Sequence, residues 1–175
     1  MQTIERSGTY FRVAKPEWTN PLDPAYSKEV GGRWNPPGEF GALYFSRTLV
    51  VAAANARWQH RNRAIRLFDL RPNSRPVLLT VTIPRAHPLD VVTAKGVRAL
   101  RLPASYPCGV GHDRCHPIAR RAMKAGIPGV ACRSAAECTL AEWIGEELAW
   151  FDNQEPPMEA APRLLFADWY PDSIP

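Results

Sequence analysis

The chain lacks any apolar stretch long enough to engage a bilayer. Its longest uninterrupted apolar run is Leu49 to Ala54, against the roughly 20 residues that a spanning helix needs. Residues Met1 to Gly8 are polar and carry no secretory pattern, so the expectation is a cytoplasmic protein without membrane contact. Also missing are a phosphate loop ending in GK[ST], a GxGxxG fingerprint, a GxSxG elbow and an HExxH helix. The enzyme classes built on those motifs lose weight accordingly. There is no internal repeat, low-complexity segment or linker. Cysteine is sparse, with 4 in the chain. Cys108, His112, Cys115 and His116 lie close together, but neither they nor Cys132 and Cys138 have the paired short spacing of a zinc site. Reduced thiols and no bound metal are expected.

What is present suits one domain over residues 1–175, since 45% apolar residues are enough to bury a core. The 18 prolines are interleaved with apolar segments, which points to long connections between short elements. A net charge of +5 fits a polyanionic partner, a phosphorylated small molecule and plain solubility equally well. The basic clusters Arg61-Arg63-Arg66 and Arg120-Arg121-Lys124 lack interleaved aromatics and read as solvated faces. With no defensible helix-turn-helix, direct nucleic-acid binding is not expected.

Thr9 to Ala14 reads as an opening strand and Pro16 to Pro24 as a loop. Phe40 to Ser46 reads as a strand, and the alanine-rich Arg47 to Arg61 as a helix capped by Ser46. Pro76 to Ile83 is the clearest strand, followed by a short one over Leu89 to Val92. Thr93 is placed to cap a helical turn through Leu100, and Pro103 to Gly111 reads as loop. Pro117 to Ala125 reads as a helix with proline in its first turn and Gly126 at its end. Val130 to Arg133 is a short strand delivering Ser134. Thr139 to Phe151 fits a helix stripe or, over Leu148 to Phe151, a strand. Leu164 to Ala167 reads as an edge strand. Strands outnumber helices in a mixed order, which predicts an α+β class.

The stretch that draws most chemical interest is GGRWNPPGEFGALY, Gly31 to Tyr44. Gly31-Gly32 and Pro36-Pro37-Gly38 make it a rigid irregular loop, so Arg33 is presented from a firm base. A guanidinium beside glycine backbone suits a phosphate or pyrophosphate, which it grips bidentately. The plainer alternative is a surface turn in which Arg33 stacks on Trp34. Glu39, Glu137, Glu142, Glu146 and Glu147 are the carboxylates available for acid or base work. Sequence does not pair them.

The runs TYFRV, GGRWNPPG, ALYFS with its alanine-rich helix, and GIPGVACRSA together resemble the RES-domain family, over roughly Thr9 to Ala167. That family is named for an arginine, a glutamate and a serine, and many members are toxins of bacterial toxin–antitoxin pairs. The resemblance implies an ADP-ribosyltransferase-like mixed sheet with a few flanking helices. It also implies NAD⁺ as substrate, cleaved at its nicotinamide–ribose bond by hydrolysis, phosphorolysis or ADP-ribosyl transfer. Arg33 matches the family arginine, Ser134 the serine, Tyr44 the tyrosine after the loop and Arg12 the arginine of the opening strand. On this reading Arg12 and Arg33 neutralise the pyrophosphate, Trp34 and Asn35 help to hold the dinucleotide, and Tyr44 and Ser134 contact its nicotinamide end. An antitoxin partner and a homodimer are implied by the same analogy.

The family glutamate should lie on the helix after ALYFS, where this chain has Asn55 and no acid anywhere between Arg47 and Arg66. Asparagine holds ribose hydroxyls but cannot offset the positive charge that builds on the ribose during cleavage. Either another carboxylate substitutes (Glu39, or one of Glu142 to Glu147), or the domain binds NAD⁺ or a partner without turnover.

Overall fold

The computed structural model describes residues 1–170. Its centre is one seven-stranded sheet in the spatial order β4-β5-β6-β2-β1-β3-β7. The strands are β1 (Arg6–Ala14), β2 (Ala42–Ser46), β3 (Val77–Ala86), β4 (Leu89–Val91), β5 (Gly129–Arg133), β6 (Glu146–Phe151) and β7 (Met158–Glu159). The β4–β5 pair is parallel and every other pair antiparallel, so the sheet is mixed and the class α+β. The helices are α1 (Ala25–Val30), α2 (Leu49–His60), α3 (Ala94–Ala99), α4 (His112–Lys124) and α5 (Phe166–Trp169). Among the described residues, no helix is long and apolar enough to cross a membrane.

Side chains alternate across a strand, so each strand feeds two cores. On one face Ala42, Val130, Cys132, Ala149 and Phe151 pack under Val97 of α3 and Cys115, Ile118, Ala119 and Ala122 of α4. Farther along, Phe11, Val13 and Leu78 pack under Ala52, Ala53 and Ala56 of α2 and Phe166 and Trp169 of α5. The opposite face carries Tyr10, Leu43, Phe45, Leu79, Val81, Leu148 and Trp150. Each fully buried Val, Leu, Ile or Phe among them contributes about 1.5–3 kcal/mol from removal of apolar area, and each alanine less.

α2 is apolar almost all round, with Val51, Ala52, Ala53, Ala54 and Ala56 buried. Its alanines let it lie close to the sheet, and Asn55 is the polar residue in that run. The cap of α2 is Thr48, whose side chain accepts from Val51 N, rather than Ser46, which belongs to β2. Thr93 caps α3 as expected, accepting from Gly96 N.

Two further expectations change and one open alternative is decided. α4 begins at His112 rather than Pro117, and Pro117 sits inside it. The burial of Cys115, Ile118, Ala119 and Ala122 at helical spacing outweighs the hydrogen bond that proline forfeits. Leu148 to Phe151 is strand, part of β6, because both its edges pair with β5 and β2. Leu164 makes only an isolated bridge to Leu78, and Phe166 to Trp169 form the short helix α5.

Candidate functional site

The Gly31–Tyr44 loop is held from within. The Asn35 amide, fully buried, donates to Ser27 O at 2.7 Å and Phe40 O at 3.3 Å. Its Oδ1 accepts from the Tyr44 hydroxyl at 2.8 Å, and that hydroxyl accepts from Trp34 N at 2.8 Å. A Cβ on Gly32 would stand 2.6 Å from the Tyr44 hydroxyl and 2.8 Å from Asn35 Oδ1, which is why the residue under the ring is glycine. Gly31 has φ of 75°, the left-handed region that glycine enters without strain. α4 closes the loop from outside, with His116 Nε2 at 2.8 Å from Gly32 O.

Trp34 and Asn35 therefore leave the list of ligand-facing residues. Both are 0% exposed, and Trp34 meets Tyr106 edge to face at 6.3 Å inside the core. The stacking of Arg33 on Trp34 is likewise not formed; Arg33 instead donates from Nη1 to Val110 O at 2.6 Å, reaching the loop before α4. The Tyr44 hydroxyl is committed to the loop, and burial raises its pKa far above the usual phenol range. Near Arg33 lie the buried thiols of Cys115 and Cys132, both pushed up by burial, and the Tyr106 hydroxyl, buried without a hydrogen-bond partner. Among the described residues, no three His, Cys, Asp or Glu side chains converge as metal ligands.

Arg12 does not join Arg33. It shares strand parity with Tyr10 and Ala14 of the opposite face, and its guanidinium lies 6.0 Å from the Phe45 ring. There it donates to Pro21 O at 2.8 Å and to the backbone oxygen of Tyr44 at 3.0 Å. Burial pushes its pKa down to about 10, which leaves it charged at neutral pH. It ties a loop to the sheet and lines a separate cavity of about 260 Å³ with Glu17, Trp18 and Tyr26.

Asn55 and Ser134 do come together, across a residue that the motif reading left among several alternatives. The strand register puts Cys132, Glu147 and Ser46 in one row across β5, β6 and β2, facing α2. Ser134 Oγ donates to Glu147 Oε1 at 2.6 Å, and Asn55 Nδ2 donates to the same oxygen at 2.8 Å. The Asn55 amide also lies 3.4 Å from Ser46 Oγ. Ser134 is fully buried, whereas Glu147 and Asn55 are half-buried. Burial raises the Glu147 carboxyl above its ordinary range; the two hydrogen bonds and the nearby Arg33 cation pull it part of the way back.

The other carboxylates are engaged elsewhere. Glu146, next along β6, points to the opposite face and takes a two-pronged bond from Arg6. Glu39 pairs with Arg120 at 2.6 Å on the surface, Glu137 pairs with Arg57, and Glu142 is exposed. The signal available in the sequence for Glu147 was the alternation of β6 once its strand character is accepted. The row on β5 and the contact with α2 were not readable, because Asn55 and Glu147 are 92 positions apart.

The α+β sheet thus gathers an arginine, an asparagine, a serine and a glutamate into one polar cluster between α2 and α4, on one sheet face. The family model described as RES domain matches residues 9–171, and the chain belongs to the RES-domain family. A chain in the crystal structure of the M. tuberculosis MbcT–MbcA toxin–antitoxin complex has the same fold, with a TM-score of 0.72 at 20% identity. The match covers 93% of this chain and 83% of that one. No curated protein matches.

Proposed function

We propose that this protein is a RES-type enzyme that consumes NAD⁺ by breaking its nicotinamide–ribose bond, as the toxin-like member of a toxin–antitoxin pair. The observation that carries the reading is the meeting of Asn55 and Ser134, 79 positions apart in the chain, on one half-buried carboxylate beside the Arg33 cation. A cation, a carboxylate and hydroxyl and amide groups together suit a substrate with a pyrophosphate and a ribose that becomes positively charged on cleavage. In this reading Arg33 binds the pyrophosphate, while Asn55 and Ser134 organise the ribose end. The likeness to a chain of a toxin–antitoxin complex supports an antitoxin as the natural partner.

The test is nicotinamide release from NAD⁺ by purified protein, with and without phosphate, beside Arg33→Ala. Wild type is expected to release nicotinamide, and the variant to lose at least about a hundredfold in rate, the usual cost of deleting one electrostatic partner of a developing charge. Faster release with phosphate would identify phosphate as the acceptor. Arg33→Ala turning over like wild type would sink the reading. The amide at position 55 favours a second reading, a domain that binds NAD⁺ without turnover. Calorimetric NAD⁺ binding with no nicotinamide release is its signature.

A further inference from the structure

The two hydrogen bonds to Glu147 fall on one oxygen, Oε1. Its partner oxygen, Oε2, takes no hydrogen bond among the described residues and is not among the buried polar atoms left unpartnered, and the side chain is only half-buried. A carboxylate clamped through one oxygen, with no described donor on the other and a guanidinium nearby, is oriented rather than merely accommodated. The donors doing the clamping are Asn55, which occupies the helix position of the family acid, and Ser134, the family serine. Purely structural carboxylates in this chain look different: Glu146 and Glu137 each spend both oxygens on an arginine.

We propose that Glu147 is the catalytic carboxylate of this site, moved from helix α2 to strand β6, and that its Oε2 faces the ribose of the bound dinucleotide. This rests on the NAD⁺-cleaving reading above. The bond from the ribose C1′ to the pyridinium nitrogen breaks, and its electron pair leaves with the nicotinamide, which becomes neutral. The positive charge passes to C1′ and the ring oxygen, where the Glu147 carboxylate stabilises it without forming a bond. Water or phosphate then adds to C1′; attacking water releases its proton to solvent. Asn55 and Ser134 act through Glu147, fixing which oxygen is presented. They are positioning residues in this step.

The deciding variant is Glu147→Gln, whose amide oxygen still accepts from Ser134 and Asn55. Nicotinamide release is expected to fall by a hundredfold or more, with NAD⁺ affinity by calorimetry within a few-fold of wild type. A structural role would not give the second readout. The wild-type carboxyl binds its proton more tightly folded than unfolded, so its stability contribution is full below the ordinary value of 4.5 and is lost as pH rises through the folded pKa. The charged and titratable neighbours are Arg33, Tyr44, Tyr106 and Cys132. Glu147→Gln should therefore melt at or above wild type at about pH 8, with the advantage shrinking toward about pH 5. The exchange variant Asn55→Glu/Glu147→Asn, which returns the acid to the helix, is expected to recover at least about a tenth of wild-type turnover.

Wild-type rates in Glu147→Gln, with turnover still dependent on Arg33, would overturn the proposal and leave the NAD⁺ reading standing. NAD⁺ binding by wild type without nicotinamide release would also overturn it, since the acid would be present and idle. Neither binding nor release would overturn both.

Discussion

Asn55→Glu in the otherwise unchanged protein is expected to lower both activity and stability, although it supplies the acid that the family resemblance implies at this position. The Asn55 amide donates to Glu147 Oε1 at 2.8 Å. A carboxylate in its place removes that donor and sets two acids side by side in a half-buried site, where both cannot ionise cheaply. Breaking a buried charge's hydrogen-bonded arrangement costs about 3 kcal/mol, which for a chain of this size lowers Tm by roughly 6–12 °C. The pair takes up a proton on folding, so the folded state binds more protons than the unfolded one. The deficit relative to wild type therefore grows as pH rises and shrinks in acid. Melting curves at about pH 5 and pH 8 measure the sign directly. Turnover should fall as well, because the shared proton spreads one negative charge over two carboxyl groups and Glu147 loses the Asn55 donor that orients it. A variant faster than wild type would mean that the site lacked an acid on α2 and that Glu147 does not serve as one.

Asn35→Ala is expected to be the most damaging single change in the glycine–proline loop. The side chain is 0% exposed and bonds Ser27 O, Phe40 O and the Tyr44 hydroxyl. Ser27 O keeps a second donor in Gly31 N, but Phe40 O loses its donor and the Tyr44 hydroxyl, which keeps Trp34 N, loses its acceptor. Leaving such groups unpaired, with a small cavity, costs about 2–4 kcal/mol, or roughly 10 °C in Tm for a chain of this size. Function should suffer beyond stability. The Tyr44 hydroxyl also receives Trp34 N, so its release loosens the backbone on the C-terminal side of Arg33. Misplacing a positioned charge by about 1 Å is enough to cost on the order of a hundredfold in rate. Thermal melts and nicotinamide release at a temperature well below the variant's Tm separate the two effects. A Tm within about 2 °C of wild type would show that the loop does not depend on this amide.

The sheet was largely legible before any coordinates. β1, β2, β3, β4 and β5 each announce themselves by β-branched and aromatic residues between turn-forming ones, and Thr93 marks the start of α3 by its own side chain. These are local signals, carried by residues within a few positions of each other. The importance of the Gly31–Tyr44 loop was legible for the same reason: glycine and proline constrain the backbone wherever they stand. Its internal division of labour was not. Arg33 reaches the candidate site, while Trp34 and Asn35, adjacent in sequence, turn inward to hold the loop. α4 shows the opposite failure, since Pro117 looked like a beginning and became an interior residue once the sheet offered its apolar stripe a surface.

By itself the sequence determined the class of fold, the family to which the chain belongs, and the absence of an acid on the helix where the family resemblance implies one. Only the tertiary structure decided where Arg12 points and which glutamate meets Asn55 and Ser134. Both are questions of strand parity and pairing. One residue of register in β6 exchanges Glu146 for Glu147, sending one to Arg6 on the far face and the other under α2. That choice is set by packing Leu148 and Trp150 on one face and Ala149 and Phe151 on the other, between strands that lie far apart in the chain. Residue identity supplied the carboxylate, and the hydrophobic pattern of β6 aimed it.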